Sequence, residues 1–333
     1  MDSKNALENI KSKYLLKEIF DYLPQKHLLK LIKKNKTLQN ELDIGINDYK
    51  KYYEEIEIEI IPANEDYIYS RYFINIPPEN ESYYHMYIND EKNESEKKYF
   101  KIDDNIKKVK IIIDKEIKTF EKLFDNKNEI EKIKFIKFNR KDINNMSNMF
   151  FYCKSLKEVE LNNFNTDNVT NMEGIFRNCS SLQKLNLNCF NTKNVTNMKF
   201  MFKDCSSLKE LNINNFNTKN VTNMMEMFSG CSSLKELNIN NFNTRNVIDM
   251  ESMFKGCSSL KELNLENFQT NNLKYMSQMF YECKSLKELN INNFKTRGVT
   301  HRYRVFDFTP GKLKIKIFNK KKKKKDITLW DYH

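Results

Sequence analysis

Through most of this chain the apolar residues return to the same places every 26 residues. In one unit Leu208, Leu211 and Ile213 read L-x-x-L-x-L, a spacing that predicts a short strand with Leu211 and Ile213 on one face. Phe216 and Val221 are the apolar residues of the polar stretch that follows, so a turn pointing both inward is expected. Met224, Met227, Phe228 and Cys231 then fall at i, i+3, i+4 and i+7, the stripe of a helix about two turns long. Thr222 is its expected N-cap, and Thr170 with Glu173 matches a capping box in an earlier unit. Gly230 and Gly256 suit the helix exit. Each unit is therefore expected to hold one strand, one turn and one short helix.

The same grid carries Cys153, Cys179, Cys205, Cys231, Cys257 and Cys283, and Phe150, Phe176, Phe202, Phe228, Phe254 and Phe280. Phe306 extends the series forward, and Phe124, Ile130, Ile133, Phe135 and Phe138 extend it backward. Ile106, Val109 and Ile111 predict a shorter coil before these. A repeat of this length points to a solenoid, since no unit can bury its apolar face alone. The predicted fold class is α/β, a solenoid over residues 104–318 with strands stacked about 4.8 Å apart. Phe216 is expected to stack between Phe190 and Phe242, and the methionines to fill core rather than hold a ligand.

The stretch MFKDCSSLKELNINNFNTKNVTNM, residues 201–224, resembles leucine-rich repeats of the BspA-like type, whose form is M-x-x-M-F-x-x-C-x-S-L-x-x-L-x-L-x-x-F-x-T-x-x-V-T-x-M. The resemblance runs over the whole repeat region. It implies a binding scaffold, found in such proteins both at cell surfaces and inside cells, with no enzymatic chemistry and no cofactor. Phe216 stands where ordinary leucine-rich repeats bury an Asn, so its turn must satisfy the backbone in another way.

Two flanking regions have a different texture. In residues 14–42, Leu15, Leu16, Ile19, Phe20 and Leu23 are helically spaced, Pro24 interrupts, and Leu28, Leu29, Ile32 and Leu38 resume. The I-F-x-Y-L-x-x-x-x-L-L-x-L-I run resembles an F-box. That resemblance implies docking to an adaptor subunit of a ubiquitin ligase through Ile19, Phe20, Leu28 and Leu29. Read from the residues alone, the same segment is a plain helical cap. IEIEIIP and YYHMYIND alternate like strands, so residues 51–103 are expected to form a β-rich connector capping the first coil. The expected organisation is a helical unit over 1–50, that connector, the solenoid, and a lysine-rich tail over 319–333. At the far end Leu313, Ile315 and Ile317 alternate with lysines, as a closing strand would.

Composition narrows the function classes. The 39% hydrophobic content includes no long apolar run, so no transmembrane segment is expected. The charged opening MDSKNALENIKSKYLLKEIF lacks the features of a secretory signal, which sets the expected location in the cytoplasm or nucleus. Of the net charge of +12, most lies after residue 310, in the six lysines from Lys320 to Lys325 and their neighbours. That run reads as an import signal, a contact to nucleic acid or another anionic surface, or a solvated tail. The cysteines show no C-x-x-C pair, so a reduced structural column is expected, with no metal, and Cys189, off the ladder, as the exposed thiol. His27, His85, His301 and His333 are scattered, and no phosphate-cradling glycine motif occurs. A non-enzyme is expected.

What the repeat offers is surface. Alternation sends Glu158, Lys184, Glu210, Glu236, Glu262 and Glu288 outward in one column, with asparagines in the next two. The candidate binding residues on this face are Glu210, Asn212, Asn214, Glu236, Asn238, Asn240, Glu262, Asn264, Glu266 and Glu288, suited to a basic or hydrogen-bonding protein segment. The opposing reading is an amide ladder that satisfies itself. Gly174, Phe200, Glu226, Ser252 and Gln278 form a column that varies in size and charge. The expected function is an intracellular protein-interaction scaffold, with a surface-exposed adhesion or structural protein as the rival.

Overall fold

The alternation of isoleucine with charged residues builds the N-terminal sheet of the computed structural model, which describes residues 35–45, 55–63, 71–100, 105–114, 117–138, 140–161 and 164–316. Ile19, Phe20, Leu28 and Leu29, and the lysines from Lys320 to Lys325, lie outside them. β1 (Ile56–Pro62) buries Ile56, Ile58 and Ile60. β2 (Arg71–Tyr72) pairs with β4 (Tyr99–Phe100), while β3 (Tyr84–Ile88) and β5 (Val109–Ile113) join β1. β6 (Ile130–Phe138), β7 (Glu158–Glu160) and β8 (Lys184–Leu185) complete a sheet of order β3-β5-β1-β6-β7-β8. β1 runs antiparallel to both β5 and β6, whereas β6, β7 and β8 are parallel. Strand β6 therefore has a cap on one edge and the repeats on the other, which hides the edge that a bare first repeat would expose.

This arrangement corrects the expected short coil at Ile106, Val109 and Ile111. Val109 and Ile111 belong to β5, antiparallel to β1 and β3, because Ile111 registers against Ile58 on one side and Met86 on the other. Ile106 lies just before the strand, partly buried against the same core.

From β6 onward, parallel pairing at an offset of 26 residues carries the fold. Lys132 faces Glu158 and Glu158 faces Lys184. At the far end β9 (Glu262–Asn264), β10 (Glu288–Asn290) and β11 (Lys314–Lys316) pair in the same sense, with a single bridge, Asn186 to Asn212, in between. A second ladder, parallel too, links Thr119, Asn145, Asn171, Asn197, Asn223, Asp249, Tyr275 and His301. Between the two ladders the rings of Phe124, Phe150, Phe176, Phe202, Phe228, Phe254, Phe280 and Phe306 stack with centroids 5.4–5.9 Å apart and planes within 9°. The second phenylalanine column is looser. Phe242 and Phe268 stand 6.4 Å apart, and Phe216 is buried without the expected ring stack on Phe190 or Phe242.

The short helices expected in each unit are absent from the described residues of the repeats. The one α-helix among the described residues is α1 (Lys36–Leu42), capped by the Asn35 side chain on the Leu38 N–H at 3.1 Å. The stripe Met224, Met227, Phe228, Cys231 is instead two successive tight turns. The N–H groups of Met224, Glu226, Phe228 and Gly230 all donate to the next repeat, at 2.7–3.0 Å, while Met227, Ser229 and Cys231 donate back three residues. A helix capped at Thr222 would need the donors from Glu226 onward for its own i−4 carbonyls; the neighbouring repeat takes those of Glu226, Phe228 and Gly230. Thr222 accordingly caps nothing, its hydroxyl donating to Thr196 O, and the Thr170 hydroxyl likewise donates to Asn144 O. Glu173 does not close a capping box either, since its own N–H is taken by Asn171 Oδ1.

Each double turn requires two left-handed residues. Lys122, Asn148, Gly174, Phe200, Glu226, Ser252, Gln278 and Arg304 form one such column, with φ between 52° and 61°. Asn126, Tyr152, Asn178, Asp204, Gly230, Gly256, Glu282 and Phe308 form the other. Gly230 and Gly256 do take positive φ as a helix exit would, but as members of this ladder. The conformation costs a side-chain-bearing residue roughly 1–2 kcal/mol, offset here by the inter-repeat hydrogen bonds it makes possible.

The turn with Phe in place of Asn solves its backbone problem with threonine. Thr166, Thr192, Thr218, Thr244 and Thr270 are fully buried. Thr218 Oγ1 accepts the Asn243 N–H at 2.7 Å and donates to the Asn243 carbonyl at 3.0 Å, tying one repeat to the next. Thr218→Val keeps the shape and leaves both groups unpaired, so it is expected to cost about 1–2 kcal/mol in urea unfolding. An unchanged midpoint would mean that the hydroxyl is dispensable.

Candidate binding surface

On the strand face, alternation places the candidate residues as its period requires. Glu210, Asn212, Asn214, Glu236, Asn238, Asn240, Glu262, Asn264 and Glu266 are exposed, and Glu288 is half-buried. The amides do not form an inter-repeat ladder. Asn212 Oδ1 accepts from the Asn214 N–H at 3.1 Å, Asn238 Oδ1 from Asn240 at 3.2 Å and Asn264 Oδ1 from Glu266 at 3.1 Å, each closing a turn within its own repeat.

The glutamate column differs between its ends and its middle. Lys132 Nζ reaches Glu158 at 2.7 Å and Glu160 at 2.5 Å. At the other end Lys316 Nζ meets Glu288 at 2.9 Å, and that hydrogen bond holds the Glu288 carboxyl below its usual range. Glu210 and Glu236, between these ends, make no ion pair among the described residues. The face thus presents unpaired carboxylates in its middle, between two paired ends where lysines meet the glutamates.

The thiol ladder is interior. The Sγ atoms of Cys153, Cys179, Cys205, Cys231, Cys257 and Cys283 each donate to the carbonyl of the phenylalanine 29 residues earlier, at 2.9–3.1 Å. Burial pushes the thiols of Cys153, Cys231 and Cys283 up to about 12. Thiolate is the reactive form, so the six should label far more slowly than a free thiol in the native protein and at once after denaturation. Rapid native labelling of Cys205 or Cys231 would contradict their burial. Cys189 is not the exposed thiol expected: it is half-buried against the core and donates to Leu161 O at 3.2 Å.

Of the scattered histidines, His85 on β3 is bound at both ring nitrogens, 3.0 Å from Glu94 and 3.0 Å from Asp114. Partial burial works against its charge, but the hydrogen bonds to Asp114 and Glu94 outweigh it and raise the pKa. The imidazole pins the segment after β3 to the end of β5. Among the described residues no three His, Cys, Asp or Glu side chains gather as metal ligands, and no helix is long and apolar enough to cross a membrane.

On the turn face the double turns gather Phe151, Arg177, Lys199, Phe200 and Lys203, of which sequence reasoning marked only Phe200, as one member of a variable column. Its sequence signal is the bulky Phe200 in a column whose two preceding members are Gly174 and Asn148.

Parallel ladders at a fixed offset, with one stacked ring per unit, define a 26-residue repeat protein. Residues 118–211 and 204–319 match the family described as Mycoplasma protein of unknown function, DUF285. These matches span more than half of the chain, which belongs to that family. No curated protein and no solved structure matches it.

Proposed function

We propose that this chain is a non-enzymatic protein-interaction scaffold, a leucine-rich-repeat solenoid of BspA-like type whose strand face binds a basic segment of a partner protein. The observation that carries the reading is the pair of unpaired carboxylates, Glu210 and Glu236, on an exposed face whose ends are already neutralised by Lys132 and Lys316. Opposite charge on a partner would relieve the repulsion along the column and set its register. The test is affinity purification of wild-type chain and of a Glu210→Lys, Glu236→Lys, Glu262→Lys variant from the source cell, with mass spectrometry of what is bound. Partners lost from the folded variant support the face; an unchanged set of partners removes it from the proposal.

The F-box resemblance extends this to an adaptor that brings the bound protein to a ubiquitin ligase in the cytoplasm or nucleus, and it rests on Ile19, Phe20, Leu28 and Leu29. Phe20→Ala with Leu28→Ala should then abolish co-purification of the ligase subunit while the repeats melt as before. A ligase subunit absent from the wild-type purification leaves a bare scaffold, and a secreted or surface pool on cell fractionation replaces the intracellular reading with an adhesion protein.

A further inference from the structure

Phe200 occupies a left-handed position with φ 61°, where the two preceding repeats use Gly174 and Asn148. Glycine and asparagine take this conformation at least cost, and a bulky aromatic is strained there. Such strain persists only where the surroundings hold it. Here, as in the other repeats, the inter-repeat hydrogen bond holds it, the Phe200 N–H donating to Met225 O at 2.9 Å; around the ring stand cations, the Arg177 guanidinium 4.5 Å from its centroid, Lys199 Nζ 4.5 Å and Lys203 Nζ 5.3 Å.

Arg177 is held from a second direction. Its guanidinium lies 5.1 Å from the ring of Phe151, so the repeat that carries it places it between the aromatic of the repeat before and that of the repeat after. Two ring faces fix the plane of the group and strip part of its hydration. Yet its donors are unused. Among the described residues the side chain makes no hydrogen bond or ion pair, and Nε is buried without a partner. A half-buried guanidinium, oriented and unpaired, is a bidentate receptor awaiting a planar anion.

The surroundings choose among anions. Nucleobases need free ring faces, and the Phe200 ring already faces three cations. A phosphate backbone needs a continuous basic track, and here Glu226 pairs with Lys203 while Glu173 and Asp204 accept from Asn197 and Asn178. A single carboxylate needs neither a free ring face nor a basic track, only the planar fork that Arg177 offers between the two phenylalanines. We propose that Phe151, Arg177, Lys199 and Phe200 form a second binding site, on the turn face, which takes a glutamate or aspartate side chain of a protein partner through the Arg177 fork. This site is independent of the strand face.

The test is fluorescence anisotropy with a labelled peptide of alternating glutamate and alanine, at about 0.1 M salt where distant charges are screened. Saturable binding to the wild-type chain is expected, with a loss of tenfold or more in Arg177→Gln. Arg177→Lys should lose nearly as much, since it keeps the charge and forfeits the planar fork, and it carries the test if Arg177→Gln fails to fold. Glu236→Gln should bind as wild type does, which separates this site from the strand face. Phe200→Gly should raise the melting temperature by relieving the backbone and still weaken the peptide. No saturable binding, equal binding by Arg177→Lys, or tighter binding of single-stranded oligothymidylate than of the peptide would overturn the proposal.

Discussion

Phe228→Ala is expected to destabilise the repeats by about 3–5 kcal/mol, the range for a large aromatic removed from a filled core. The ring is fully buried and stacks on Phe202 at 5.7 Å and on Phe254 at 5.8 Å, so three successive repeats wall the cavity it leaves. Collapse into that cavity is restricted. The Phe202 N–H is bonded to Met227 O at 2.9 Å and the Phe228 N–H to Met253 O at 3.0 Å, which fixes the spacing of the backbones on both sides. Because stability in such a stack resides largely in the interfaces between neighbours, one substitution weakens two interfaces. Phe306→Ala provides the contrast: its ring, which stacks on Phe280 at 5.4 Å, is only half-buried, so it should cost clearly less. Urea unfolding of both variants checks the order, and equal losses would mean that the repeats do not share their core as the ring column implies.

The contrast between these two phenylalanines was legible in the sequence, because position within a 26-residue period settles which side chains are interior and how many neighbours they have. Leu208, Leu211, Ile213, Val221 and Met224 are all buried where the period placed them. The backbone that carries them was not legible. Apolar residues at i, i+3, i+4 and i+7 fit a helix, and they fit two consecutive four-residue turns equally well. What distinguishes the two is a left-handed residue in each turn, and Tyr152, Asp204, Glu226 and Gln278 adopt that conformation without any local signal. Gly174, Gly230 and Gly256 are the hint, but Gly230 and Gly256 read equally as helix exits and Gly174 as one member of a variable column. The choice is made by hydrogen bonds to the next repeat, a non-local cause that no window of a single unit contains. The same holds for surfaces. Simple alternation put Glu210 and Glu236 in the open, whereas the Arg177 sandwich depends on which turn columns meet across repeats.

The thiol ladder should make the protein labile to alkali, and the sign follows from where the proton is held. In the unfolded chain a thiol titrates at its ordinary 9.0; in the folded protein burial first, then the charge of Asp204, pushes Cys231 up to about 12. Cys153 and Cys283 reach about 12 as well, and Cys179, Cys205 and Cys257 are raised well above 9.0, again chiefly by burial. The folded state therefore binds these protons more tightly than the unfolded state does. Their contribution is intact below about pH 9 and is lost as pH climbs from there towards 12. Each ladder thiol should remove up to about 1.4 kcal/mol per pH unit in that window, and six acting together should unfold the repeats well before any one of them ionises in place. Tyr84, raised by burial from 10.0 to about 12, adds to the slope only above pH 10. Urea midpoints at pH 7, 8, 9 and 10 and constant ionic strength should be flat to pH 8 and fall steeply after pH 9. Cys231→Ala should start lower, having lost packing and the bond to Phe202 O, and then fall less steeply by the share of one thiol. A midpoint that stays flat to pH 10, or a slope indifferent to Cys231, would show that the ladder's protons are no tighter in the folded chain than out of it.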